Sequence, residues 1–302
     1  CEYDLKDFQK LFCSCKFLEK TVYDRDQWSL DTGLDCVFEI IETDTELYLK
    51  VLKEYFNANA PFRLNGYRQI KYLLGHIGYE STYCFVNNNV LNKKDAWLSF
   101  IWECVSEEDM NEKIVNDYKT FVINNLASTK PVIPTVQVVA RYGERDSELK
   151  TSVIKAVLAN SKLSANFLGY AYDENDVEKI IDFFRNDMSA LASIYMNAIE
   201  TDCHIDYRGK LFAKIFEKQP TVWKEYVDWV KSKDNMREDW NESEIFELIW
   251  ESDKWRECVA YAFNVLVDDE RVFYIKKPAR LLFAETTDAT ILERKKSWLI
   301  EK

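Results

Sequence analysis

Few side chains in this sequence have the chemistry for acid–base or metal catalysis. His76 and His204 are the only histidines, and histidine is the side chain that titrates near neutral pH without perturbation. Zinc sites bring cysteine ligands together with about two to four residues between them. Cys13 and Cys15 are closer than that, and Cys203 has only His204 beside it. We therefore expect no metal site, no cofactor and no catalytic residues, and we interpret the cysteines as buried reduced thiols.

Two matching pairs of residues have the chemistry of a binding site. Tyr67 and Arg68 open one apolar segment, and Tyr207 and Arg208 open another about 140 residues later. Arginine presents a planar fork of donors to a partner carboxylate, and tyrosine offers a ring for stacking. The alternative is that each arginine pairs with an acidic residue of the adjacent helix. In that case the contact is internal and recurs because the segment recurs.

Tryptophans add a second candidate binding surface. Trp229 and Trp240 flank the polar stretch 231–238, and we expect both rings to be partly exposed and available to a partner. The acidic run 173–176 lacks the glycine of a calcium loop and is typical of a helix N-terminus. We interpret the basic runs 276–280 and 294–296 as solvated helix ends.

Composition narrows the fold class and the partners. The 302 residues include seven glycines and five prolines, about a third of average usage, which disfavours folds that need many tight turns. We therefore expect an all-α protein. The net charge of −12 repels phosphate groups, which disfavours nucleic acid and anionic membranes as partners. The sequence has neither a secretion signal nor a long apolar run, so we expect a cytoplasmic location and no membrane partner.

Apolar residues recur at helical spacing along most of the chain. Stripes begin at Tyr48, Leu98, Val177, Leu191 and Trp223. The stretch 135–139 alternates like a strand, but two prolines precede it, so we predict the first turn of a helix there.

The strongest pattern is an internal repeat. Segments 97–103 and 245–251 both end in Ile-Trp-Glu, 148 residues apart. Three further pairs of helical segments follow the same order at spacings of about 140 to 144 residues. The sequence therefore predicts a duplicated four-helix module in an α-solenoid-like stack of antiparallel helix pairs.

This stack defines four predicted regions. They are N-terminal helices at 1–39, module 1 at 40–126, connecting helices at 127–182, and module 2 with the C-terminal helices at 183–302.

Three segments resemble a known group of helical repeats. Phe216–Tyr226, Ile249–Glu251 and Glu293–Trp298 are similar to degenerate TPR- or HEAT-like repeats at the C-terminus of bacterial STAND-type NTPases. That resemblance implies a sensor that grips a ligand, often a foreign protein in anti-phage defence, and thereby releases an ATPase for oligomerisation. The chain begins with Cys1, so we interpret it as a fragment, with the NTPase and the means of oligomerisation in the missing domains.

Taken together, the sequence predicts a non-catalytic helical-repeat domain that binds a protein or peptide. Two alternatives stay open. One is an enzyme with a cleft between the modules that uses carboxylates and Arg68 or Arg208. The other is a helical-repeat protein that binds nucleic acid.

Overall fold

A computed structural model describes residues 38–39, 41–57, 66–91, 93–171, 173–202, 205–206, 209–232, 242–267, 281–282 and 286–301. Within these ranges there are fourteen α-helices, one short 3₁₀ helix at Ser161–Leu163 and no strands. The α-helices are α1 (Thr45–Asn57), α2 (Gly66–Asn89), α3 (Lys94–Cys104), α4 (Glu112–Leu126), α5 (Val136–Gly143), α6 (Ser147–Ala159), α7 (Ser164–Leu168), α8 (Glu174–Phe183), α9 (Met188–Thr201), α10 (Lys210–Lys218), α11 (Val222–Ser232), α12 (Glu242–Glu251), α13 (Trp255–Val267) and α14 (Ala289–Glu301). The all-α prediction is confirmed, including the helix predicted at 135–139.

Aspartates begin several helices by capping free backbone amides. Asp44 Oδ1 accepts a hydrogen bond from the Leu47 amide at 3.0 Å, and Asp187 Oδ1 accepts one from the Ala190 amide at 3.1 Å. Asp173 caps α8 in the same way, which confirms the helix N-terminus predicted at 173–176. Such caps satisfy amides that the first helical turn leaves without partners.

The repeated region contains five helical segments on each side where the sequence predicts four. Helix α2 is interrupted at Gly78, where φ is 74°, a left-handed backbone value that glycine adopts without strain. The corresponding break in the second set lies between α10 and α11. The segments that begin at Thr45 and Tyr79 correspond to those that begin at Met188 and Val222, each 143 residues later.

The described residues form two compact units. The first comprises those up to Phe121 together with 129–132, and the second comprises 122–128 and those from Ile133 onward. The solenoid arrangement and the four predicted regions stay predictions.

Trp102 lies at the centre of the core in the first unit. Its indole is completely buried, with ring centroids 5.7 Å from Tyr118 and 4.7 Å from Phe121. The indole nitrogen donates a hydrogen bond to the Tyr79 hydroxyl at 3.2 Å. That hydroxyl donates to Asp117 Oδ2 at 3.0 Å, so one tyrosine links α2, α3 and α4.

In the second unit, Trp250 is also completely buried, as its match with Trp102 predicts. Its indole nitrogen donates to the Leu281 carbonyl at 2.8 Å, and its ring lies 5.6 Å from that of Trp255. A second aromatic cluster joins Tyr195, Phe212 and Tyr226.

Ion pairs at matching positions carry exchanged charges. Lys113 of α4 pairs with Glu80 of α2, and Glu257 of α13 pairs with Lys224 of α11 at 3.5 Å. Each residue is 144 positions from its counterpart of opposite charge. The exchange keeps one attraction between the same two segments in both units, which supports the duplication.

Candidate functional site

The structure places the first predicted binding pair in contacts within the protein. Arg68 forms an ion pair with Glu39, and the Tyr67 hydroxyl donates to the Glu103 carboxylate. The Tyr67 ring centroid is 5.0 Å from that of Phe100. These contacts agree with the internal role left open as an alternative, although both side chains keep substantial solvent exposure.

The second predicted pair and one tryptophan lie outside the described residues. Their placement as binding residues stays a prediction for Tyr207, Arg208 and Trp240.

Trp229 corrects an expectation. Its side chain is only 8% exposed, and its ring lies 5.5 Å from that of Tyr226. The prediction that this ring is partly exposed is therefore wrong, because the helical spacing of α11 turns Trp229 toward the core.

The histidine within the described residues has a local role. His76 Nδ1 lies 2.8 Å from the Tyr72 carbonyl oxygen, and its ring stacks on Tyr72 at 4.0 Å. It therefore contacts the last turn before the break at Gly78. The sequence Gly75-His76-Ile77-Gly78 is typical of a helix end, because glycine adopts positive φ without strain. In the part of the chain that the structure describes, no group of three or more His, Cys, Asp or Glu side chains can hold a metal ion.

A groove beside α6 is lined by apolar side chains, of which Leu158 is exposed, and by basic ones. It has a volume of about 490 Å³ and runs between α6 and the connection from α8 to α9. Ile154 and Leu158 of α6 form one wall, and Phe183 and Phe184 form the other. Leu158 is 42% exposed, which is high for a leucine that lines a concave surface.

Four side chains of α6 that line this groove share one face of the helix, and all are at least partly exposed. Thr151, Ile154, Lys155 and Leu158 are spaced at i, i+3, i+4 and i+7, the pattern of a single helical face. The adjacent face, with Leu149, Val153 and Val157, is fully buried. Helix α6 therefore has an apolar surface beyond the one its own core uses.

Lys150 is held across the top of the groove. Its ammonium group donates to the Phe183 carbonyl and lies 4.2 Å from the centroid of the Phe183 ring. Burial lowers the pKa of Lys150, and the like charge of Arg185 lowers it further. The negative charge of Asp182 opposes this lowering. The contact with the Phe183 carbonyl fixes the ammonium group in place.

The groove has a basic rim. Lys150 and Lys155 line it, and neither forms an ion pair with any carboxylate among the described residues. Its one carboxylate, Asp187, accepts the amide of Ala190 as a helix cap. The local charge is therefore positive, in a chain whose net charge is −12.

A second cleft, of about 870 Å³, lies between α12 and α14. Lys295 faces it and is only 7% exposed, with its ammonium group 5.9 Å from the centroid of the Trp250 ring. Burial lowers the pKa of Lys295, although Glu247 opposes the shift. Burial raises the pKa of Glu251, and the nearby Glu247 and Asp288 add to that rise.

The interpretation of 294–296 as a solvated helix end is wrong for Arg294 and Lys295. Arg294 donates to the carbonyls of Trp250 and Ser252, so it caps the C-terminus of α12, and Lys295 is buried. Sequence reasoning missed both residues. The sequence contains a pattern that indicates the burial of Lys295. Ile291, Lys295 and Trp298 have the i, i+4 and i+7 spacing of one helical face.

No family model, no curated protein and no solved structure matches this chain. In the helices that the structure describes, none is long and apolar enough to cross a membrane.

Proposed function

We propose that this chain is a non-catalytic helical domain that binds a protein or peptide, and that the groove beside α6 is its docking surface. The observation that carries the proposal is the exposed Leu158 of α6, which lines the groove opposite the buried rings of Phe183 and Phe184. Amphipathic helices bind other proteins by laying an apolar stripe into a groove of this kind. A partner helix that buries Leu158 and Ile154 removes apolar surface from water, which favours association.

The wider role that we propose is ligand sensing in a larger cytoplasmic bacterial protein of the STAND NTPase type, as in anti-phage defence. The support for this role is the sequence resemblance of the helical repeats. In such a protein the groove is the part that contacts the trigger, and the ATPase belongs to another domain.

Selection from a library of random helical peptides tests the binding function. Peptides enriched on the purified chain are labelled, and their Kd values are measured by fluorescence polarisation. We expect Leu158→Gln to weaken binding at least tenfold, because it places an amide where the peptide's apolar stripe packs.

The control is Leu91→Gln. Leu91 is also an exposed leucine, at 83%, but it lies outside the groove. Enriched peptides that bind both variants as tightly as the unmodified chain would exclude the groove as the docking surface.

A further inference from the structure

We infer that the partner segment seated in this groove is acidic: an amphipathic helix with Asp or Glu beside its apolar stripe. This inference rests on the proposed function and specifies the chemistry of its ligand. The geometry that carries it is the position of Lys150 and Lys155 in the groove lining, on the same helix as Ile154 and Leu158.

The positions of the two lysines on α6 define where the partner's charges lie. Lys150 and Lys155 precede and follow Ile154, and Leu158 lies one turn beyond Ile154. A helix that packs against Ile154 and Leu158 therefore brings its flanking side chains toward both ammonium groups. Carboxylates at those flanking positions gain an ion pair with each, whereas lysines are repelled.

The charged groups around the groove favour an anionic ligand. Arg185 lies beside Lys150 and is paired with Asp182 at 3.5 Å, both largely exposed. Asp187 is committed to the N-terminus of α9. An incoming carboxylate therefore meets two lysines in the groove lining against the single carboxylate of Asp187, while the nearby charges of Arg185 and Asp182 offset each other.

The electrostatics of the whole chain add selectivity to this local attraction. The net charge of −12 disfavours the approach of an acidic segment to the protein as a whole. Binding is therefore favoured at the groove, where the local charge is positive. Screening by salt weakens both effects, because the ion pairs are partly exposed to solvent.

Three synthetic helical peptides of about 15 residues test the inference. They share one leucine stripe and differ only at four flanking positions, which are Glu, Gln or Lys. We expect the Glu peptide to bind about tenfold more tightly than the Lys peptide in low salt, since each exposed ion pair contributes a factor of about two to five. The preference should shrink as salt is added.

Charge reversal in the protein gives the second arm. Lys155→Glu should abolish the preference for the Glu peptide, because its flanking carboxylates then gain one attraction, to Lys150, and one repulsion, from the substituted position. Lys155 is exposed and forms no hydrogen bond or ion pair with the described residues. Lys179→Glu makes the same change on the exposed face of α8 outside the groove, and the order should stay as in the unmodified chain. Lys150→Met is a less direct probe because it also removes the bond to the Phe183 carbonyl.

The outcomes separate the ligand chemistry from the binding function. If all three peptides bind with equal affinity and Leu158→Gln weakens the binding of each, the inference of an acidic partner is overturned. The groove would then still be the docking surface. Failure of all three to bind would also overturn the inference, and the library selection would then decide the function alone. A single-stranded oligonucleotide that displaces the Glu peptide and ignores Leu158→Gln would overturn it in favour of nucleic acid.

Discussion

The hydroxyl group of Tyr79 joins three helices of the first unit. The Tyr79 hydroxyl accepts from the Trp102 indole and donates to Asp117, so it satisfies a buried donor and holds a carboxylate. Burial raises the pKa of Tyr79, and the negative charge of Asp117 raises it further, so the hydroxyl stays protonated and remains a donor.

Tyr79→Phe should therefore lower the free energy of unfolding by about 1–3 kcal/mol, because it leaves the buried indole N–H without its acceptor. Chemical denaturation measures the change. Tyr170→Phe is the control, since its hydroxyl bonds to Asp202 at 2.9 Å on the surface. We expect that variant to change stability by less than about 0.5 kcal/mol. Equal costs for the two variants would contradict the role given to the Tyr79 hydroxyl.

At the scale of elements, backbone conformation and capping set where helices begin and break. Helix α2 breaks at Gly78 because that residue has a left-handed φ, not because a side chain intervenes. A Cβ atom added at Gly75 or Gly78 would meet nothing within 4 Å. The two positions therefore differ in backbone conformation and not in the space available.

Alanine at these two positions should have opposite effects. Gly75→Ala should stabilise the protein by about 0.5–1 kcal/mol, because alanine is favoured over glycine inside a helix. Gly78→Ala should destabilise it by about 1–2 kcal/mol, because the left-handed conformation strains any Cβ. Thermal denaturation of both variants checks the pair. Changes of the same sign would show that the break in α2 is not fixed by Gly78.

The N-terminal caps are the second determinant at this scale. Asp187→Ala should cost about 0.5–2 kcal/mol because it removes the acceptor for the Ala190 amide, whereas Asp187→Asn should cost much less. Urea denaturation at neutral pH compares the two variants. A full loss in the asparagine variant would mean that Asp187 acts through its charge rather than through the cap.

At the scale of the whole molecule, several features of the two units agree with the predicted internal duplication. Trp102 and Trp250 are equivalent by sequence, and both are completely buried, yet their indole nitrogens donate to different acceptors. The exchanged ion pairs between Glu80 and Lys113 and between Lys224 and Glu257 show the same pattern. The two units therefore bury tryptophan at matching positions, whereas the polar groups at matching positions differ.

Truncation of either tryptophan should therefore be severe. Trp102→Ala and Trp250→Ala should each lower the free energy of unfolding by about 3–5 kcal/mol, as expected for buried aromatic side chains. Denaturation followed by far-ultraviolet circular dichroism measures both. A cost below about 0.5 kcal/mol at either position would break the equivalence of the two cores.

The sequence predicts the helices well because their stripes depend on local spacing. The stripes from Tyr48, Leu191 and Trp223 all begin helical faces that the structure buries. The internal repeat is also predicted from spacing, and the break at Gly78 lies where the glycines at 75 and 78 predict a helix end. The solenoid arrangement of the whole chain stays a prediction.

The site is harder to predict because exposure depends on which faces other helices cover. Periodicity identified Trp229 as part of a helix but not that its ring is buried, and it gave no sign that Leu158 is left uncovered. Lys295 was missed for the same reason, since a charged residue on a helical stripe is buried only if a neighbouring helix packs over it. Long-range packing, which no local pattern encodes, decides these cases.

The most direct test of the docking groove is amide hydrogen exchange with and without a saturating peptide from the library selection. We predict slower exchange in 147–159 and around 183–187, where the walls of the groove lie, and the same pattern with independent peptides. Protection confined to other segments, with 147–159 unchanged, would contradict the account.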